Sequence, residues 1–236
     1  SRCRTNGSGA AAFEAAVNAA KLPGGEGAAL IAARRALSPD CAKPGASVSA
    51  ALDGQVKSPA GKAFATYLAG AQAFYDGDFD AAGTRFAGLG GARDAWLRET
   101  ARYMAARVEV NRIQVGLFDE YGIPKDFKTV DQKVVAAADA GLRGYLKDYP
   151  NGLYAASARG LLRRVYWFGS KRDLLAQQYV ALFVQPMAAR GLNDVDLAEE
   201  MDTKLLPELT ISDTRDPTLL AVLDLRRMRT AEDEVS

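Results

Sequence analysis

Apolar residues recur at helical spacing along most of the chain, and glycine, proline and short polar runs separate the apolar segments. This spacing predicts α-helices, because residues three and four apart share one face of a helix. Alanine dominates the apolar share while valine and isoleucine are sparse, so the predicted fold class is all-α. Residues 1–9 are expected to be extended. The predicted helices cover 10–22, 26–37, 46–57, 59–75, 79–90, 92–118, 129–148, 152–168, 171–184, 194–203 and 219–228.

Several of these helices recur in pairs with related spacings. The sequence Gly77-Asp78-Phe79 turns one helix into the next, and Ala82 precedes Phe86 by four residues. Further along the chain, seven residues separate Trp96 from Tyr103, and the spacing of four and eight residues occurs twice. Its two occurrences are Ala138, Leu142 and Pro150, and then Leu174, Gln178 and Pro186.

The paired helices resemble the tetratricopeptide repeat (TPR), a helix–turn–helix unit of about 34 residues. The second unit departs from this pattern by an insertion of roughly 26 residues relative to that length. The stretch 145–155, Tyr-Leu-Lys-Asp-Tyr-Pro-Asn-Gly-Leu-Tyr-Ala, is similar to the junctions of bacterial cell-envelope repeat proteins. The resemblance implies an all-α, TPR-like solenoid that acts as an adaptor and presents a groove to a peptide or protein partner.

Three parts of the chain are expected. Residues 1–45 would form a helical hairpin that caps the array, 46–190 the repeat array, and 191–236 a loosely attached tail. Within the array, the first helix of each pair should line the groove. Tyr67, Tyr75, Arg159 and Arg163 are therefore the predicted partner-binding residues, because hydroxyl and guanidinium groups bind extended peptide and carboxylate. The alternatives are that the aromatic residues are core and that the arginines form a solvated face.

The two cysteines bracket the predicted N-terminal hairpin. Two antiparallel helices of similar length would bring Cys3 and Cys41 together, so a disulfide is predicted. Disulfides persist in exported compartments, and the protein is therefore expected to be periplasmic or secreted, its signal sequence removed. A cytoplasmic adaptor with two free thiols is the alternative.

Composition argues against several other functions. The chain has no histidine, which removes the commonest general base and the usual metal ligand, so no metal, no cofactor and no catalytic role are expected. A net charge of +1 predicts no nucleic-acid partner, and no apolar run is long enough to span a membrane. The competing hypothesis is a helical scaffold domain of a glycan-acting envelope enzyme, with Glu99, Glu109 or Glu120 as the acid.

Overall fold

The computed structural model describes residues 6–37, 47–120, 123 and 125–233. Those residues are all-helical and contain no β-strand, which confirms the predicted fold class. Short 3₁₀ turns lie at Phe127–Thr129 and Ile211–Asp213. The α-helices are α1 (Asn6–Ala20), α2 (Glu26–Ala36), α3 (Val48–Leu52), α4 (Pro59–Asp76), α5 (Phe79–Ala87), α6 (Ala95–Ile113), α7 (Gln132–Asp148), α8 (Ala155–Phe168), α9 (Arg172–Phe183), α10 (Met187–Arg190), α11 (Asp194–Lys204) and α12 (Pro217–Asp233).

Local capping signals set several helix ends. The Ser58 hydroxyl accepts a hydrogen bond from the Gly61 amide at 2.9 Å, and Pro59 occupies the first helical position of α4. Gly77 ends α4 in the left-handed conformation (φ 87°), and the Asp78 carboxylate then caps α5. These two boundaries lie within a residue of those predicted from the sequence.

Several helix boundaries were predicted incorrectly, including the start of α1, both ends of α6 and the ends of α3, which covers Val48–Leu52 instead of 46–57. Residues 6–9 belong to α1 and are not extended, although two of them are glycines that disfavour helix. The helix predicted over 92–118 is shorter, because Asp94 caps its start at Ala95 and the chain turns after Ile113. Residues 6–9 are helical despite the weak propensity of the two glycines, and the capping aspartate fixes the start of α6.

Consecutive helices pack on one another from α1 to α9, and a second set of contacts joins alternate helices. Helix α2 contacts α4, α4 contacts α6, and α6 contacts α8. We call α2, α4, α6 and α8 the even layer. The buried apolar side chains of the described residues form one continuous core that extends from Phe13 in α1 to Leu223 in α12.

The C-terminal helices are tied to this core by charge as well as apolar contact. Arg163 of α8 is 5% exposed, and its Nε donates to Glu200 of α11 at 2.9 Å. The Tyr179 hydroxyl also donates to the Glu200 carboxylate, at 3.3 Å, and Lys204 Nζ lies 3.1 Å from it. Leu197 and Met201 of α11 are buried. Helix α11 is thus attached by specific contacts, while the three-part division of the chain stays a prediction.

Candidate functional site

A cavity of about 190 Å³ lies where α1 covers the even layer. We call it the α1 cavity. Helix α1 contributes small residues to it, whereas the even layer contributes tyrosines, hydroxyls and two arginines. Its described lining consists of Ser8, Gly9, Ala12, Arg34, Tyr67, Ala71, Tyr75, Thr100, Tyr103, Met104, Arg107, Tyr154 and Ser157.

An aromatic cluster holds α1 against the even layer beside this cavity. Phe13 is fully buried, and its ring is stacked on Tyr67 with the centroids 5.8 Å apart. The same ring meets Phe64 edge-on at 5.8 Å and Trp96 at 6.1 Å. We call these four residues the Phe13 cluster. Aromatic pairs at such separations stabilise beyond the area they bury, so Phe13 is the main apolar anchor of α1.

The wall formed by α6 and α8 is a layer of hydrogen-bonded tyrosines. Tyr103 and Tyr154 are stacked in parallel with their centroids 4.5 Å apart. The Tyr103 and Ser157 hydroxyls are hydrogen-bonded at 2.8 Å, and those of Thr100 and Tyr154 at 3.1 Å. Burial raises the pKa of the Tyr154 phenol. These contacts fix the positions of the hydroxyls that line the cavity.

The turn between α7 and α8 positions Tyr154 and lies within the stretch 145–155. The Tyr145 hydroxyl donates to Glu99 Oε1 at 2.8 Å and accepts from the Tyr154 amide at 2.9 Å. The Leu153 amide donates to the same carboxylate oxygen at 2.5 Å. A Cβ at Gly152 would collide with Glu99 and Tyr145, so only glycine fits there. Tyr145 and Glu99 therefore hold the start of α8 at a fixed place against α6.

The electrostatic character of the α1 cavity comes from Arg34 and Arg107. Arg34 is 3% exposed, and the guanidinium of Arg107 lies 5.1 Å from the centroid of the Phe74 ring. Burial raises the pKa of the Tyr67 phenol, and the positive charges of Arg34 and Arg107 lower it to a smaller extent. None of the described lining residues is an aspartate or glutamate. The described lining thus contributes two guanidinium groups and several hydroxyl groups to the cavity.

The structure brings together two of the four predicted partner-binding residues. Tyr67 and Tyr75 both line the α1 cavity, Tyr67 as a buried member of the Phe13 cluster and Tyr75 half-buried. Arg159 and Arg163 lie elsewhere. The exposed Arg159 donates to the Pro150 carbonyl oxygen at 2.8 Å, and Arg163 is buried against α11. Their partner-binding role stays a prediction, but their guanidinium groups already have partners within the fold.

Arg172, the first residue of α9, also has partners within the fold. Arg172 donates to the Glu208 carbonyl oxygen at 2.7 Å and lies 3.8 Å from the Asp213 carboxylate. Arg163 and Arg172 therefore both pair with residues of the C-terminal segment, Glu200 and Glu208. The predicted disulfide between Cys3 and Cys41 lies outside the described residues.

The cover provided by α1 and most of the polar lining were not predicted from the sequence. Arg107 follows the lining residue Met104 by three positions, so the two residues share one face of α6. Tyr154, the N-cap residue of α8, and Ser157 three positions later both line the cavity and were not predicted. No local sequence pattern identifies Arg34 as a cavity residue, because its position there depends on how α2 packs against α4.

The three glutamates considered as catalytic acids, Glu99, Glu109 and Glu120, do not share one set of contacts. Glu99 accepts the two hydrogen bonds of the α7–α8 turn, while Glu109 is paired with Arg112 at 3.3 Å. Glu120 is exposed after α6. Within the described ranges, no group of three or more acidic or cysteine side chains could hold a metal ion. No described helix is both long and apolar enough to cross a bilayer.

Comparison with known proteins adds no relative. The chain matches no family model, no curated protein and no solved structure at a significant level.

Proposed function

We propose that this chain is a non-catalytic binding protein of the bacterial cell envelope, built as a TPR-like helical repeat array. Its partner is a peptide or protein that binds the even layer at the α1 cavity. The observation that carries the proposal is the convergence there of polar side chains from α2, α4, α6 and α8. Thr100 and Tyr103 are 2% and 5% exposed, whereas Ser8 and Ser157 are exposed, so the site extends from buried polar groups to the surface. Pockets of this composition are the usual place for specific recognition.

The helix contacts support the repeat-array part of the proposal. In a helical solenoid, the first helix of each pair touches its own partner and the first helix of the next pair. Helices α4, α6 and α8 have that relationship, with α5, α7 and α9 as their partners. The fixed α7–α8 turn, with Tyr145 and Gly152, gives the third pair its register against the second.

A site-specific photo-cross-linker tests the proposed binding surface. We would place p-benzoylphenylalanine at Tyr75, which lines the α1 cavity, and at Val195 of α11, which is 75% exposed and lies outside it. In envelope extract, the cross-linker at position 75 should capture one discrete partner and that at 195 should not. Arg107→Met should abolish the capture, because it removes one of the two guanidinium groups of the described lining.

Arg102→Met is the matched control. Arg102 lies on the same helix, α6, but faces Asp148 at 3.2 Å and does not line the cavity. Retained capture with this control would support the proposal. Capture from position 195 alone, or equal loss with both arginine variants, would contradict it.

The envelope location is a separate part of the proposal and rests on Cys3 and Cys41. Mass spectrometry of the non-reduced protein tests it. A peptide pair linked through the two cysteines supports export, and two alkylated thiols in native extract support the cytoplasmic alternative.

A further inference from the structure

Helix α12 has a second apolar stripe on the face that points away from the core. Its inner face contains Leu219 and Leu223, which are 2% and 6% exposed, and α12 packs beside α9. On the outer face, Ala221, Leu225 and Met228 follow one another at spacings of four and then three residues. Leu225 is 53% exposed and Met228 is 56% exposed, so α12 presents apolar surface to solvent. Apolar residues on two opposite faces are typical of a helix that is packed on both sides.

The spacing of this outer stripe is that of a short coiled-coil seam. Intervals of four and then three residues place Ala221 and Met228 at d positions of a heptad repeat and Leu225 at the a position between them. We call these three residues the α12 seam. A seam of this kind is covered by a second helix whose apolar residues recur at the same intervals.

The positions on either side of the α12 seam carry opposite charges. Asp224 occupies the g position of one heptad, and Arg229, five residues later, occupies the e position of the next. Both side chains are exposed, and no described residue forms an ion pair or a side-chain hydrogen bond with either. Arg226 and Arg227 are turned away from the seam, about 100° and about 160° around the helix from Leu225. Asp224 and Arg229 are therefore the charged groups that a helix bound to the seam would meet.

We propose that the α12 seam binds the α12 seam of a second copy of this chain, with the two helices parallel. In that pair, Leu225 packs on the other copy's Leu225, and Met228 on the other copy's Met228. Asp224 of each copy lies beside Arg229 of the other, because a g position faces the e position of the following heptad in a parallel pair. An antiparallel pair would instead bring like charges together, since g then faces g and e faces e. The charges beside the seam thus complement a second copy and select the parallel orientation.

The expected pairing is weak and depends on concentration. A seam of three residues buries much less than the roughly 800 Å² per partner of a standard interface, so the association belongs to the transient class. An anionic lipid surface would attract the arginines of α12 but would repel Asp224 beside the seam, so a helix of mixed charge is the better occupant. The pairing goes beyond the proposed function and does not rest on it, and a dimer would carry two copies of the α1 cavity.

Sedimentation equilibrium of the full chain measures the pairing, at concentrations from about 5 µM to about 1 mM. The apparent mass should rise with concentration from that of one chain towards that of two. Leu225→Asp should raise the dissociation constant at least tenfold, because it places two carboxylates at the centre of the seam. Val195→Asp is the matched control, since Val195 is 75% exposed on α11 and lies outside the seam, and it should leave the association unchanged.

A charge-swap series tests the orientation of the two helices. Asp224→Arg or Arg229→Asp alone places like charges across the parallel pair and should raise the dissociation constant at least threefold. The two changes together exchange the charges and should restore it to within twofold of the unmodified chain. All these positions are exposed, so the variants are expected to keep the native circular dichroism. Single variants that associate normally, or a double variant that is not restored, would overturn the parallel pairing.

Other results would assign the seam to a different occupant. A chain that stays monomeric over the whole concentration range overturns the second copy as the occupant. Should that monomer bind vesicles of phosphatidylglycerol and phosphatidylethanolamine, and lose this binding with Leu225→Asp, the seam contacts a lipid surface instead. A limiting mass above that of two chains, or equal effects of Leu225→Asp and Val195→Asp, would also contradict the proposed pairing.

Discussion

The Tyr145 hydroxyl offers the sharpest test of how the cavity wall is built. It donates to the Glu99 carboxylate at 2.8 Å and accepts from the Tyr154 amide at 2.9 Å, and the side chain is fully buried. Tyr145→Phe removes both bonds without changing the shape of the ring. A hydrogen bond to a charged acceptor contributes about 1.5–3 kcal/mol, and an orphaned buried donor costs about 1–3 kcal/mol. Because the Leu153 amide still satisfies Glu99, the expected loss in the free energy of unfolding is about 2–4 kcal/mol.

Urea unfolding followed by circular dichroism measures this loss, and Tyr149→Phe is the matched control. Tyr149 stacks on Tyr145 with the centroids 5.4 Å apart, but its hydroxyl is not part of the Glu99 network. The control should stay within about 0.5 kcal/mol of the unmodified chain. Equal effects of the two substitutions, or a loss below about 0.5 kcal/mol for Tyr145→Phe, would refute the account of the α7–α8 turn.

Three further substitutions test contacts that the sequence did not reveal. Hydrogen bonds from the Ser58 side chain and from backbone amides hold the pKa of Glu26 below its usual 4.5. The ionised Glu26 carboxylate therefore stabilises the fold above pH 4.5, and this stabilisation is lost as the pH falls through the lowered pKa. Glu26→Gln should accordingly reduce the difference in stability between pH 7 and acid, measured by urea unfolding. Gly61→Ala should destabilise by about 1–3 kcal/mol, because its Cβ would collide with the Glu26 carboxylate and Val56. Arg163→Met should lower stability by about 1–3 kcal/mol and speed amide exchange in α11, since Glu200 would keep only Lys204 as a cationic partner.

Each of these three substitutions has a matched control variant. Glu208 is exposed, so Glu208→Gln is the matched carboxylate-to-amide control and should change the free energy of unfolding by no more than about 0.5 kcal/mol. A Cβ on Gly83 would meet Val108 at an ordinary 3.8 Å, so Gly83→Ala should be neutral or stabilising by up to about 1 kcal/mol. Arg172→Met should leave α11 protected, because Arg172 pairs outside that helix. Faster exchange in α11 with Arg172→Met and not with Arg163→Met would contradict the assignment.

Local sequence signals predicted the helices where capping chemistry is strong. Ser58-Pro59 and Gly77-Asp78 act through atoms within four residues of one another, so their effect does not depend on the rest of the fold. The start of α1 was missed because it depends on burial. Phe13 is buried only because α4 and α6 lie against it, and that docking keeps Gly7 and Gly9 helical.

Some residues of the candidate site could be identified from local spacing, whereas the contacts of others depend on the tertiary structure. Tyr67 and Tyr75 could be identified as residues of the first helix in a pair, because helical spacing fixes which residues share a face. Arg163 lies on a predicted groove helix as well, yet its guanidinium is paired with Glu200, 37 residues further along the chain. No pattern within α8 could reveal that partner, because α11 reaches it only in the folded chain.

The sequence by itself determined the helical fold class and the turns that pair the helices, since both follow from interactions between near neighbours in the chain. Only the tertiary structure decided which face of each helix is covered, and by what. Helix α1 covers part of the surface that was predicted to bind a partner. Glu200 of α11 forms an ion pair with Arg163, which was also predicted to bind a partner. Burial and charge pairing depend on distances between residues far apart in sequence, and helical periodicity contains no information about those distances.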